Sequence, residues 1–373
     1  MARIFVSPLS WGLGHATRDV PIIRELLKRG HKITIASSGP SLVFLQKEFP
    51  QCEFICFPDY PPPYTKSRFF IAKFTAYIPI MIHAIRVEEK KAWQFFKENK
   101  YDLIISDNRF GVYSPDVPSF LISHQLRFSA PKVLSFAEQW AQSFNSYYHS
   151  KFTRVIVPDN SPDTVSLSGT LSLNTRKATQ ERIYYAGILS SIRKIDVVED
   201  IDFLISVSGP EPQRTILEEV MLKQVQKLPG KKMVLLGKPS ENSEYQLPST
   251  TSKAGRNDST TVKSHAGREE MSVLMNRAKF IISRSGYTTM MEIAELGKTK
   301  CLFIPTPGQT EQVYLSQYYM GKGWFYSKSQ YSLDIIRDVE EAKKYSGFPA
   351  MQGSKSNAEK LYQELFEPYL GKD

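Results

Sequence analysis

Cysteine is scarce: Cys52, Cys56 and Cys301 are the only three in 373 residues. The first two are spaced C-x3-C with no second pair, which excludes a paired-cysteine zinc site and a disulfide framework and suits a reducing cytoplasm. Long hydrophobic runs are missing too. No stretch reaches the ~18 apolar residues of a membrane span, and the opening MARIFVSPLS is interrupted by Pro8 too soon for a secretory signal. The expectation is a cytoplasmic protein, soluble or peripheral at the inner face of a membrane. Acidic residues are in deficit, 38 against 48 Lys and Arg, for a formal charge of +10. That balance suits an acidic partner: nucleic acid, an anionic membrane or a phosphorylated small molecule. No nucleic-acid recognition motif accompanies the charge, so nucleic acid is not the expected partner.

What is present describes a globular chain, 41% hydrophobic, 12% aromatic and 23% charged. Its length exceeds what one core usually serves, so two domains are expected. Short β-rich runs alternate with helical patterns: RIFVS (3–7), KITIA (32–36), CEFICF (52–57), DLIIS (102–106), SFLIS (119–123) and TRVIV (153–157). The rhythm restarts with DFLISVSG (202–209), KKMVLLG (231–237), AKFIISRSG (278–286) and KCLFIPTPG (300–308). Such alternation predicts parallel βα units, hence an α/β protein of two doubly wound, Rossmann-like domains over 1–190 and 200–355. Ala358, Leu361, Leu365 and Tyr369 recur at helical spacing and predict a closing helix within 356–373. Residues 240–262, Ser/Thr-rich and nearly free of apolar side chains, read as a surface loop.

Ligands of open parallel sheets collect beyond the carboxyl ends of the strands. SPLSWGLGHATRDV (7–20) occupies that place after the first strand. Gly12 and Gly14 permit positive φ and close approach, and a helix starting near Ala16 would aim free N–H groups at an anion. His15 at the mouth of this loop can accept a proton near neutral pH; Arg18, one turn on, can meet a phosphate or orient an acidic neighbour. The G-x-G-x-x-G spacing reaches Thr17, not a third glycine, which argues against a nicotinamide enzyme. SRSGYTTMMEIAELG (283–297) repeats the strand-to-helix placement with Ser285, Gly286, Thr288, Thr289 and Glu292. Hydroxyls and amides at a helix start suit phosphate oxygens, and a carboxylate farther along suits the vicinal hydroxyls of a ribose, so the pair describes a nucleotide. PTPGQTEQ (305–312) brings Gln309, Glu311 and Gln312 to the next strand end, suited to polyhydroxylated ligands, and SVSGPEPQRT (206–215) supplies Ser208, Gly209 and the cation of Arg214. His265 lies on a further loop, before Met271, Leu274 and Met275 at core spacing.

GLGHATR, SVSGPEPQR, SRSGYTTMMEIAELG and PTPGQTEQ, in that order across both halves, resemble the corresponding segments of GT-B-fold glycosyltransferases of the family 28 type, which include the bacterial peptidoglycan N-acetylglucosaminyltransferase. The resemblance implies an N-terminal acceptor domain and a C-terminal nucleotide-sugar domain facing across a cleft. By position it implies Glu292 at the ribose hydroxyls, Ser285, Gly286 and Thr289 at the diphosphate, Arg214 near phosphate or base, and Glu311 and Gln312 at the donor sugar. The sequence departs from the peptidoglycan enzyme in its shorter glycine loop and in Val313, where that enzyme has a second glutamine, so its acceptor and donor sugar are not carried over.

The expected reaction is metal-independent inverting transfer from a nucleoside-diphosphate sugar, a uridine diphosphate conjugate by expectation, to a glycan or lipid-linked acceptor in cell-envelope synthesis. His15 serves as base, and helix N–H groups after Ser285, aided by Arg214 and His265, receive the leaving charge; no cofactor and no metal are called for. Asp107, in ISDNRFG, follows a strand end and can orient His15, or it can belong to an ordinary Asp-Asn turn. His124, in HQLRF, is an acceptor-side candidate. Asp200 and Asp202 match a metal-binding D-x-D but precede their strand, at the amino edge, and are read as surface. The basic and aromatic segment 64–96 suits an anionic membrane or burial between domains, with His83 in a core. Rival readings are a sugar-nucleotide epimerase or hydrolase on the same architecture, and a non-catalytic sugar-nucleotide-binding protein.

Overall fold

Strands buried on both faces need helices on both sides, and the two runs of βα units meet that need separately. In a computed structural model, which describes residues 1–60, 70–127, 135–173, 177–248 and 258–371, one compact unit comprises Met1–Ser191 with Gln352–Asp373 and the other Ile192–Met351.

The first unit runs β1 (Arg3–Pro8), α1 (Leu13–Lys28), β2 (Lys32–Ser37), α2 (Gly39–Glu48), β3 (Glu53–Cys56), α3 (Phe70–Glu98), β4 (Leu103–Asp107), β5 (Ser119–Ile122), α4 (Ser135–His149), β6 (Arg154–Val157), α5 (Lys177–Gln180) and β7 (Ile183–Tyr185). Its strands are parallel in the order β3-β2-β1-β4-β5-β6-β7. In β1 only Arg3 is exposed, as expected of a strand covered on both faces. Period-two alternation sends Ile4 and Val6 into the core with Ala16, Val20 and Ile23 of α1, while Phe5 enters an aromatic cluster on the other face and meets Phe96 edge to face at 5.0 Å. The strand order reverses between β1 and β4, which opens a crevice at their carboxyl ends.

The second unit runs β8 (Ile201–Ser206), α6 (Gln213–Gln224), β9 (Lys231–Leu235), β10 (Glu244–Leu247), β11 (Ser259–Lys263), α7 (Arg268–Arg277), β12 (Ala278–Ser283), α8 (Tyr287–Leu296), β13 (Cys301–Phe303), α9 (Thr310–Gly321), β14 (Tyr326–Ser327) and α10 (Ile335–Ala342). Its order is β10-β11-β9-β8-β12-β13-β14, parallel except for the antiparallel β10–β11 pair. Here the order reverses between β8 and β12.

Two expectations need correction. Residues 240–262 are not simply a loop: they hold β10 and most of β11, while 249–257 lie outside the described residues. Their strand pairing is obscured in the sequence because β10 is an exposed edge and β11 buries only Thr260 and Val262, every second residue. His83, expected in a core, is exposed on α3. Residues 64–69 of the basic aromatic segment lie outside the described residues; farther along, α3 buries Ile85, Ala92 and Phe96 and exposes Ile80, Val87 and Trp93.

The chain ends in α11 (Ser354–Leu361) and α12 (Glu367–Leu370), which return to the first unit. Leu361, Tyr362, Leu365 and Phe366 join the core of β1 and α1, and the Tyr362 hydroxyl lies 2.9 Å from His31 Nε2. Among the described residues no helix is long and apolar enough to cross a membrane.

Candidate functional site

In the first unit the site starts from one backbone angle. Gly12 has φ 117°, a conformation that side chains oppose, and open space surrounds its missing Cβ, so the angle and not crowding demands glycine. With Gly12 as N-cap, α1 begins at Leu13, three residues before the expected start near Ala16. Gly14 is therefore a helical residue and does not take the positive φ expected of it. His15 stands in the first turn of α1, its side chain 15% exposed. Strand register pairs Pro8 of β1 with Asp107 of β4, which sets that carboxyl at the crevice where the strand order reverses.

These two facts bring together residues 92 positions apart: His15 Nδ1 is 2.9 Å from Asp107 Oδ1. Arg18, a turn farther along α1, donates from Nε to Asp107 Oδ2 at 2.6 Å and from Nη2 to Asp107 Oδ1. Its Nη1 lies 2.8 Å from His124 Nδ1, which must then accept, since guanidinium only donates. Nη2 also approaches His15 Nδ1 at 2.8 Å. Of the two partners offered to that nitrogen, the ionised carboxylate makes the stronger bond, so the Nδ1 proton points at Asp107 and Nε2 keeps its lone pair. Burial lowers the His15 pKa, Asp107 opposes this, and Arg18 adds to it. Burial alone would raise the Asp107 pKa, but Arg18 and His15 outweigh it and hold the carboxyl well below its ordinary range. Arg18 is thus committed to an acidic neighbour and to His124.

A second buried arginine braces this region. Arg109 is fully buried and donates from Nε to Glu88 of α3 at 2.8 Å, from Nη1 to Asp59 at 3.2 Å and from Nη2 to the Pro58 carbonyl. Asp59 in turn accepts from the Ser10 N–H and the Ser38 hydroxyl, while Trp11 Nε1 donates to the Tyr60 carbonyl at 2.9 Å. The chain entering α1 is therefore tied to the exits of β3 and β4. At Gly111 a Cβ would come within 2.7 Å of the α3 backbone, which explains the glycine of ISDNRFG.

In the second unit, the loops after β8, β12 and β13 gather at the other reversal point. Arg284, unremarked in the sequence reading, holds them: from a buried position it donates to the carbonyls of Ser208, Gln213, Ile304 and Pro305 at 2.9–3.3 Å. Desolvation lowers its pKa to about 10, still cationic at neutral pH. Gly209, at φ 114°, passes this cluster. Its Cβ would stand 3.4 Å from Thr306 Oγ1 and 3.7 Å from Arg284 Nε.

The polar side chains quoted from the sequence divide by where their hydrogen bonds go. Ser285 is fully buried, donates to the Gln312 carbonyl and accepts from Ser316, so its hydroxyl fastens α8 to α9 and does not face a ligand. Gln312 is engaged with the Thr306 N–H and with Gln309. Arg214 is held by Glu211 and Glu218 and by the Leu236 carbonyl, two carboxylates that offset its charge. Glu292 is buried and lies 2.6 Å from Arg268 Nη2. Gly286 caps α8 without a side-chain hydrogen bond, and no acid lies in the first turn, which leaves the amides around half-buried Thr288 and Thr289 to face an anion. His265 and Ser208 are exposed on their loops, and Glu311 opens α9. Asp200 and Asp202 sit at the amino edge of β8 in ion pairs with Lys231, Arg277 and Lys279.

Residues 212–364 match the model of the glycosyltransferase family 28 C-terminal domain. No curated protein matches the chain in sequence. Among solved structures, MurG of Acinetobacter baumannii is 11% identical with a TM-score of 0.53, covering 97% of this chain and 99% of its own. The glycosyltransferase SsfS6 of Streptomyces sp. SF2575, complexed with thymidine diphosphate, is 12% identical with a TM-score of 0.55, over 98% and 95%. UGT89C1 of Arabidopsis thaliana, complexed with UDP-L-rhamnose, is 13% identical with a TM-score of 0.58, over 97% and 93%.

Proposed function

We propose that this chain, whose residues 212–364 match the glycosyltransferase family 28 C-terminal domain and whose two parallel sheets have the GT-B fold, moves a sugar from a nucleoside-diphosphate donor to an acceptor hydroxyl by direct displacement with inversion. The carrying observation is the His15–Asp107 contact, 2.9 Å, at the crevice of the first sheet. Asp107 holds the imidazole in the tautomer that leaves the Nε2 lone pair as a proton acceptor. The acceptor O–H gives its proton to Nε2 as its oxygen bonds the anomeric carbon; the bond from that carbon to the phosphate oxygen breaks, and its electron pair leaves with the nucleoside diphosphate.

The second unit holds the donor in this reading. The amides opening α8 meet the growing phosphate charge without a metal, Glu292 exchanges its Arg268 contact for ribose hydroxyls, and Gln309, Glu311 and Gln312 line the sugar. Arg214 contributes less than its position suggests, because Glu211 and Glu218 already pair with it. A uridine diphosphate sugar is the donor we favour, and a thymidine diphosphate sugar is the alternative in the same test. Work on a lipid-linked acceptor of the cell envelope, at the inner face of an anionic membrane, fits the exposed Ile80, Val87 and Trp93 beside Lys90 and Lys91 on α3.

A panel of uridine and thymidine diphosphate sugars, incubated with and without candidate acceptors and followed by mass spectrometry and by NMR of the anomeric proton, tests the reading. Acceptor-dependent release of the diphosphate with an inverted anomer is expected. An altered sugar or free sugar in the absence of acceptor makes the protein an epimerase or hydrolase; no turnover of any donor makes it a binding protein.

A further inference from the structure

Asp19 follows Arg18 on α1, one turn beyond His15, and is fully buried. Neither of its carboxyl oxygens receives a hydrogen bond from a described residue. An ionised carboxylate cannot rest in that condition, because burial removes its water and nothing replaces it. Among the described residues the charged groups acting on it are another carboxyl, Asp107, with which it can share a hydrogen bond, and Arg18, whose guanidinium is already paired with Asp107. Two carboxyls meet favourably only through a shared proton. The charge count agrees: Arg18 supplies one positive charge, Asp107 neutralises it, and a second ionised carboxyl would stand uncompensated. Hydrogen-bond capacity agrees as well. Asp107 already accepts from His15 Nδ1, Arg18 Nε and Arg18 Nη2, a carboxylate offers about four acceptor sites, and an O–H on Asp19 takes the fourth.

We propose that Asp19 is a positioning residue held as a neutral carboxylic acid, which donates its O–H to Asp107 and thereby limits how strongly Asp107 draws a proton onto His15. The role assigned to His15 rests on the proposed transferase reading; the location of the Asp19 proton does not. Among the described residues, the charged and titratable groups around Asp19 include Arg18 and His15 on α1, Asp107 at the end of β4 and, on Arg18, His124 after β5. Burial first, and the Asp107 charge second, push the Asp19 carboxyl well above the ordinary carboxylate range. With Asp107 saturated by four donors, His15 remains a modest base that is neutral before the reaction and gives up its proton readily afterwards. Asp19 keeps its own proton throughout: the acceptor's proton goes to His15 Nε2 and from there to solvent.

Three measurements test this. At neutral pH, the infrared difference spectrum of wild type against Asp19→Asn shows a carboxylic-acid C=O stretch belonging to wild type; its absence overturns the proposal. Should the asparagine variant not fold, Asp19→Ala serves as the reference. The stability of wild type relative to Asp19→Asn falls as pH rises from about 4 toward neutrality, because the native state holds a proton that the unfolded state releases near pH 4. A difference that does not change with pH overturns it. The acid limb of the kcat/KM profile stays in place in Asp19→Asn, whose amide still donates, and moves up by roughly one pH unit in Asp19→Ala, which frees an Asp107 acceptor site. A limb that moves down in both variants means that a negative charge was removed, and the proposal is wrong. If no acceptor is glycosylated at all, the transferase reading fails, while the infrared band and the stability slope still decide where the proton sits.

Discussion

His15→Ala is expected to lower kcat by about 10²- to 10⁴-fold while leaving the donor KM nearly unchanged, because in the proposed reaction the imidazole takes the acceptor proton and the donor is assigned to the second unit. Since burial and Arg18 lower its pKa, activity lost on acidification should fall away below the ordinary histidine value of about 6.5; a limb above that value contradicts the arrangement. Replacing Arg18 by methionine leaves Asp107 buried without its cation and should cost about 3–5 kcal/mol of stability. That loss eases as pH falls and Asp107 takes up a proton, which denaturant titrations at neutral and acidic pH would show. The sequence yielded His15 and Asp107 as candidates because each follows a strand end, and it left Arg18 a choice between a phosphate and an acidic neighbour, of which the structure shows the second; Asp19 it did not single out. Nothing local marks a helix carboxyl as buried until strand register shows what stands opposite.

Whole elements depend on single backbone and guanidinium groups. Alanine at Gly12 must adopt φ 117° or move the start of α1, and should cost about 1–3 kcal/mol by calorimetry, with loss of activity exceeding loss of fold. Arg284→Met removes the guanidinium donor from four carbonyls on the loops after β8 and β13 and at the start of α6. At least about 2 kcal/mol of stability should go with it, and titration calorimetry should show weakened nucleoside diphosphate binding. Lysine should not rescue, since a point charge cannot serve carbonyls spread around a planar fork. Nothing local in SRSGYTTMMEIAELG marks Arg284: between strand and helix a charge looks exposed, and only the convergence of three loops makes it central. Gly14 shows the opposite error, where a glycine that looked like loop turned out to be helix because Gly12 alone completes the turn.

At the scale of the molecule, the last residues of the chain complete the first unit. Ending the protein after Met351 removes Leu361, Tyr362, Leu365 and Phe366 from the core around β1 and α1, each worth about 1.5–3 kcal/mol of burial. The thermal unfolding transition of the first unit should drop sharply or disappear. A donor present at about 100 times its Kd should raise the stability of the second unit by about 2.7 kcal/mol, and truncation should leave that increment intact if the two units fold as separately as their cores suggest. The amino-acid sequence by itself determined the alternation of strand and helix, the restart after residue 200 and the polar loops at strand ends, because burial on both faces and chain reversal each impose a local pattern of residue types. Which charges meet was decided only by tertiary structure. The sequence offered Asp107 as a partner for His15 among other readings, but the choice of that partner, the commitment of Arg18 to the same carboxyl and the convergence of four carbonyls on Arg284 depend on register between distant strands and on the absence of water, which leave no mark on neighbouring residues in the chain.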